Sequence, residues 1–274
     1  MFHGAHLAGT PRPEWLANQH RYVEAETAQL RLYGVALNTK INEAAEHHVE
    51  GGGKDAVHQT SLGEIWASPV LRRLLVIAVT LQLAQQLSGI NAVVNYSTGY
   101  FVPLFPDNPE AADYVTVGMN CGQLLAAIVA MGIIDRGGRR PLLLIGEATM
   151  GLALTVLVAT SVLGVSVVAA VFVVIFVVGF GFSVGPIPWL IFAELFAPSA
   201  VGAASSVCVP ANWVTNILVT VTFKSLASLL GDYVFLPFAI FNILFFVFTW
   251  FLVPETRGKS AATIYVEMEE RLLR

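Results

Sequence analysis

Five stretches of this chain contain no Asp, Glu, Lys or Arg: residues 74–106, 114–134, 148–193, 195–223 and 233–254. About 20 apolar residues carry an α-helix across a bilayer core, so each run is long enough to span, and 148–193 is long enough for two helices. No water satisfies backbone N–H and C=O groups in lipid, which leaves helices and closed barrels as the only spanning structures. The runs are too long and too continuously apolar for barrel strands of about ten alternating residues. The sequence therefore predicts an all-α membrane protein, a bundle of six transmembrane helices preceded by short cytoplasmic helices. Composition agrees: 55% of the 274 residues are hydrophobic and 12% charged, with a mean hydropathy of +0.68, where a soluble domain carries about 25% charge. Disorder, which needs many charges and few large apolar side chains, is excluded on the same grounds.

The expected spans lie near 74–100, 112–134, 141–161, 166–193, 204–228 and 232–253, with the third and fourth separated at Gly164. Residues 1–70 form a polar linker, 71–253 the membrane domain and 254–274 a short tail. Within the linker Leu30, Tyr33, Leu37, Ile41 and Ala45 make a helical stripe, and Gly51-Gly52-Gly53 marks a joint. All six histidines fall before residue 60; His47 and His48 are adjacent and point apart on a helix, so no metal site is expected. No apolar run follows Met1, so no secretory leader is expected. Arg72 and Arg73, then Arg136, Arg139 and Arg140, then Arg257 and Lys259 all fall on one side if six spans alternate. The other side holds Asp107, Glu110, Asp113 and Asp232, with Lys224 the one dissenter. The positive-inside rule puts both termini in the cytoplasm, and the plasma membrane is the expected location. Cys121 and Cys208 lie in apolar runs and form no CxxC or Cys/His cluster, so neither a disulfide framework nor a metal is expected. The net charge of -4 offers no basic surface for nucleic acid.

Function has to be read from the polar residues inside the apolar runs, because each is costly in hydrocarbon unless it faces the bundle interior or a wet cavity. The first span carries Gln82, Gln85, Gln86 and Gly89 at i, i+3, i+4 and i+7, on one helical face, with Asn91 and Asn95 beyond. The second adds Asn120 and Gln123, and the fifth Asn212 and Asn216 beside Trp213. These amides both donate and accept, and none is ionised, which suits a neutral polyhydroxylated ligand better than an ion. Phe180, Trp189 and Trp213 could supply flat apolar walls for the C–H faces of a sugar ring. Equally, amides can simply tie helices together, at about 0.6–2 kcal/mol each. Gly185-Pro186-Ile187-Pro188-Trp189 kinks the fourth span, either as part of a binding site or as a plain structural bend. Glu194 can pair with Arg136, Arg139 or Arg140 on the same side. Glu147, about two turns into the third span, is expected to snorkel or to pair with those arginines. The spans hold no His, no paired carboxylates and no ligand cluster, so no catalytic residue, cofactor or enzymatic activity is expected.

Gln85-Gln86-Leu87-Ser88-Gly89-Ile90-Asn91-Ala92, Asp135-Arg136-Gly137-Gly138-Arg139-Arg140, Gly185-Pro186-Ile187-Pro188-Trp189, Asn212-Trp213 and Pro254-Glu255-Thr256-Arg257-Gly258 together resemble the sugar-porter family of the major facilitator superfamily, which includes the facilitative glucose transporters. Pro13-Glu14-Trp15-Leu16 is similar to the start of that family's central cytoplasmic loop. The resemblance runs from about residue 12 to the end and implies spans seven to twelve of a twelve-span fold. It implies sugar contacts from Gln85, Gln86, Asn91, Gln123, Phe180, Trp189, Asn212 and Trp213, an outer gate at Tyr96, and a cytoplasmic gating network of Asp135, Arg139, Arg140 and Glu194. Three positions depart from the pattern: Asn95 replaces a tyrosine, Gly181 a glutamate and Val201 an arginine. They imply an altered outer gate and a weakened network.

The resemblance further implies transport of a sugar, expected to be a hexose, by alternating access in the lipid bilayer. The six-span length implies a truncated member, a partial gene model, or a C-terminal half that needs a complementary six-helix N-terminal half. The competing expectation is a non-transporting sugar-binding or regulatory membrane protein, or an inactive fragment.

Overall fold

The computed structural model describes residues 59–102, 105–108 and 110–273. The linker stripe, the triple glycine, the histidine pair and the Pro13-Glu14-Trp15-Leu16 string lie outside the described residues. Among the described residues every regular element is helical: α1 (Leu62–Ala67), α2 (Pro69–Leu87), α3 (Ile90–Tyr96), α4 (Thr98–Phe101), α5 (Glu110–Gly137), α6 (Arg139–Leu163), α7 (Ser166–Phe182), α8 (Ile187–Leu195), α9 (Pro198–Leu230), a 3₁₀ turn (Gly231–Tyr233), α10 (Leu236–Leu252) and α11 (Ala261–Leu273). Among the described residues, five helical stretches are long and apolar enough to cross a membrane. The sixth apolar helix, α10, has 17 residues, about 25 Å at the α-helical rise, at the short end of the spanning range.

Two of the spans are broken, and the breaks shape the interior. The first was expected as one helix over 74–100; instead α2 stops at Leu87 and α3 begins at Ile90. Gly89 sits between them at φ 89°, a conformation that costs a residue with a Cβ far more than it costs glycine. A Cβ there would also lie 2.8 Å from the Phe238 ring. The second break, between α7 and α8 at Ser183–Pro186, falls where the two prolines predict it. There Gly185 N–H turns back to Phe180 O at 2.8 Å. The third and fourth spans separate at Gly164, whose φ of 70° closes the end of α6. Pro210 lies inside α9 without ending it; neighbouring helices in a bundle tolerate the lost donor.

α6 packs against both α7 and α10, and α2 against α9. α6 meets α7 closely because Gly146 has no side chain. A Cβ there would stand 2.1 Å from Ser183 Oγ, and Ser183 Oγ instead donates to the Leu142 carbonyl of α6 at 2.8 Å. α5 and α9 are different: 17% of the most apolar window of each is buried, so both present wide apolar flanks outward. At one end of the bundle α1 opens with Ser61 and Glu64 in a reciprocal cap, and the amphipathic α11 inserts Ile264 and Met268 against the adjoining ends of α2 and α8.

Gly146→Ala is expected to destabilise the bundle by about 1–3 kcal/mol, the usual cost of overpacking, seen as a lower Tm in detergent. Gly132→Ala, where a Cβ meets nothing within 4 Å, is expected to leave Tm unchanged or raised. Equal stability of the two variants would contradict the close approach of α6 and α7.

Candidate functional site

Breaking a helix inside lipid frees backbone carbonyls that need donors. Gln85, on the last turn of α2, supplies them: its Nε2 donates to Gly185 O at 2.6 Å and to Val184 O at 3.2 Å. Its Oε1 accepts from Asn212 Nδ2 of α9 at 2.8 Å. The same Asn212 amide reaches Gln82 Oε1 at 2.9 Å and Gln82 O at 3.1 Å. Asn212 Oδ1 accepts from Gln86 Nε2 at 3.0 Å. Gln86 Oε1 then accepts twice, from Asn91 Nδ2 at 2.6 Å and from Asn216 Nδ2 at 3.1 Å. α2, α3 and α9 are thus joined by one chain of amides, which Gln85 ties to the α7–α8 break.

This chain forms the floor of a cavity of about 320 Å³ lined by Gln85, Gln86, Ile90, Asn91, Val94, Gln123, Phe180, Gly185 and Asn216. That volume is within the range of small-molecule sites. Among the described residues no hydrogen bond engages Asn91 Oδ1, Asn216 Oδ1 or the Gln123 amide. The lining therefore offers both acceptors and donors, with no charge, together with the apolar Phe180. Gly181 fixes the α5 side of the wall. A Cβ on Gly181 would lie 2.4 Å from the Gln123 carbonyl, so a glutamate at this position is incompatible with the present approach of α5 to α7.

Of the eight residues expected to contact ligand, five line the cavity: Gln85, Gln86, Asn91, Gln123 and Phe180. Three do not. Asn212 is 2% exposed and sits behind the wall, with both its amide atoms engaged by glutamines. Trp213 follows it by one residue, about 100° round the helix, and is 58% exposed, outside the cavity lining. Trp189 is half-buried on α8, outside the cavity lining. Asn216 was absent from the expected contacts although its spacing of four from Asn212 places both on one face. Asn120 of α5 is exposed and lies outside the lining too.

At the end of the bundle where α5 meets α6, the charges form a second cluster. Arg139 Nη2 lies 2.8 Å from Glu194 Oε1 and 3.1 Å from Asp135 Oδ1; its Nη1 donates to Ile134 O at 3.1 Å. Thr256 Oγ1 donates to Glu194 Oε2. Glu255, a residue not expected in the network, accepts from the backbone N–H of Arg139 at 3.0 Å and of Arg140 at 3.2 Å. A carboxylate at a helix N-terminus meets unpaired donors and the positive end of the dipole, and the Pro254-Glu255-Thr256 string is the signal that could have found it. Gly138 at φ 86° lets this carboxylate approach, since a Cβ would lie 2.8 Å from Glu255 Oε2. Arg140 does not pair with Glu194: its guanidinium donates to the carbonyls of Thr249 and Trp250 and lies 5.9 Å from the Trp250 ring centroid. Arg136 is exposed.

Two further expectations meet the structure. Tyr96 is 40% exposed and packs on Phe223 with ring centroids 4.5 Å apart, joining α3 to α9. Glu147 neither snorkels nor pairs with an arginine. It is 2% exposed, and its Oε1 accepts from Thr249 Oγ1 of α10 at 2.9 Å, because Arg140 is turned to the carbonyls of α10 instead.

Residues 10–267 match the family described as "Sugar (and other) transporter". The facilitated glucose transporter member 3 of solute carrier family 2 from Oryctolagus cuniculus is 39% identical over 252 residues, 89% of this chain and 50% of that protein. Member 1 from Gallus gallus is 40% identical over 207 residues, 74% of this chain and 42% of that protein. Among solved structures, the proton:xylose symporter XylE bound to 6-bromo-6-deoxy-D-glucose has the same fold, with a TM-score of 0.70 at 24% identity over 93% of this chain and 54% of that one. The inward open XylE from E. coli gives a TM-score of 0.62 at 25% identity, over 93% of this chain and 51% of that one. The chain spans about half the length of the curated relatives it matches. It belongs to the sugar transporter family, a family of transporters.

Proposed function

We propose that this chain is the sugar-binding half of a transporter that moves a sugar, a hexose by preference, by alternating access. The observation that carries the reading is the uncharged cavity on α2, α3, α5, α7 and α9, where Asn91, Gln123 and Asn216 present free amide atoms beside Gln86 and Phe180. A sugar hydroxyl both donates and accepts, so a wall of uncharged amides fits it better than it fits an ion. The relatives' names, facilitated glucose transporters and a xylose symporter, support the same substrate class.

In this reading Gln85 and Asn212 act as scaffold as much as contact, holding Gln86 in place while Gln86, Asn91, Gln123 and Asn216 meet the ligand. Trp213 and the exposed flanks of α5 and α9 are assigned to lipid and to a complementary six-helix half, against which this half would rock. Trp189 stays within α8, beside the break. Tyr96 on Phe223 would gate the outer end. Asp135, Arg139, Glu194 and Glu255 would latch the other end, with Arg140 anchoring α10. The arginine-rich end, with both termini, is assigned to the cytoplasm, and the plasma membrane is the proposed location.

Calorimetry with D-glucose on the protein in nanodiscs tests the site. Saturable binding is expected, and Gln86→Ala is expected to weaken it about tenfold, near 1.4 kcal/mol, because two asparagines lose their common acceptor. Unchanged affinity in Gln86→Ala would refute the assignment. Flux in liposomes is expected only when a complementary half is co-reconstituted; flux by this chain alone would remove the need for one.

The latch is tested by a double-mutant cycle on Arg139→Ala and Glu194→Ala. The pair is partly buried, with side chains 12% and 25% exposed, and a coupling energy of about 1–3 kcal/mol is expected from thermal unfolding. A coupling near zero would mean that the two charges act independently.

A further inference from the structure

Glu147 is the one ionisable side chain of α6 beyond Arg139 and Arg140, and the sugar site does not use it. Its Oε1 accepts from Thr249 Oγ1, and its buried Oε2 has no partner. A hydroxyl has one proton to donate, so Thr249, itself 0% exposed, cannot serve both oxygens. Ionisable groups kept inside a membrane bundle mark ion or proton sites by default. Groups that could compensate the carboxylate are committed elsewhere. α7 and α10 carry no charge. Glu194 of α8 and Asp135 of α5 bind Arg139. Glu255 binds the Arg139 and Arg140 amides, and Arg140 binds carbonyls of α10. Arg136 and Cys121 are exposed, and Glu110, Asp113, Tyr114, Asp232 and Tyr233 lie at the opposite end.

Thr249 is the junction. Its hydroxyl serves Glu147 and its carbonyl accepts from Arg140 Nε at 3.5 Å. Two turns earlier on the same face of α10, Asn242 Nδ2 donates to Ser88 O at 3.1 Å, at the break between α2 and α3. Ser88 Oγ donates to Gln85 O at 2.7 Å. One rigid helix thus ties the lone carboxyl to the backbone that carries the cavity amides.

We propose that Glu147 is a proton-binding site whose occupancy is linked through Thr249, α10 and Asn242 to the cavity. The proton comes from water at the arginine-rich end, adds to a lone pair of Oε2 and returns to the same water; no other bond forms or breaks. The proton site stands on the geometry of α6 and α10 alone, whereas its effect on ligand rests on the sugar-binding reading.

Infrared difference spectroscopy during a pH titration of the whole chain in nanodiscs tests the first part. A protonated-carboxyl band that titrates is expected, absent in Glu147→Gln and with a moved midpoint in Thr249→Val. A band identical in Glu147→Gln and wild type overturns the proposal. If Glu147→Gln does not fold, an unmoved midpoint in Thr249→Val overturns it. The second part is read by D-glucose calorimetry between about pH 5 and 8. A change in Kd of about fivefold or more is expected, flattened in Glu147→Gln. The same pH dependence in both proteins overturns the linkage. Absence of glucose binding at every pH refutes the sugar reading instead, and the infrared titration then decides the proton site by itself.

Discussion

The reach of Gln85 across to the carbonyls of Val184 and Gly185 is the interaction on which this half-bundle turns. Lipid forbids unpaired backbone, so a helix may be interrupted in the membrane only where another group satisfies what the interruption frees. The α7–α8 break frees carbonyls, and α2 brings an amide to them at the point where its own helix ends. A side chain placed to satisfy the backbone must itself be satisfied at its other atom, and that demand draws in Asn212, then Gln82 and Gln86. The amide chain is thus a structural necessity before it is a binding surface. It keeps hydrogen-bonding capacity where it reaches the cavity, because its last members, Asn91 and Asn216, share one acceptor and keep their own carbonyl oxygens free.

The structure sorts these amides by where they stand, which residue type alone leaves open. Asn212 is wholly internal, Gln85 and Gln86 stand on both sides, and Asn91, Gln123 and Asn216 face the hollow. Function would then be carried by the unsatisfied fraction of a network whose satisfied fraction holds the helices. Such a network also fixes the positions of its free atoms, since Gln86 cannot rotate without releasing three asparagines.

Much of this was legible in the sequence because helical periodicity is. Gln82, Gln85 and Gln86 fall on one face by spacing, the prolines mark the α7–α8 break, and charge-free runs mark the spans. What was not legible depends on partners far away in sequence. The Ser88–Gly89 interruption looked like continuous helix because glycine is common in membrane helices; its necessity lies in the Phe238 ring, on α10. Trp213 was read with Asn212 as a pair, though neighbours on a helix diverge by about 100°. Glu147 was given to nearby arginines because they are close in sequence, while its actual partner, Thr249, stands 102 positions away.

The two glycine contacts on α7 and α6 show how geometry and chemistry constrain each other here. Gly146 allows Ser183 to cross to the Leu142 carbonyl, which seats α7 against α6 next to Glu147. Gly181, two residues before Ser183, allows the backbone at Gln123 to close on the cavity from the other side. An acid at position 181 would need α5 to retreat, and with it the Gln123 amide that completes the polar wall. The chain thus keeps a carboxyl on the α6–α10 seam and excludes one from the cavity wall. A neutral cavity beside a titratable seam follows from where small residues let helices touch, and that separation is what would allow a neutral ligand and a proton to be bound in one six-helix unit without competing for the same atoms.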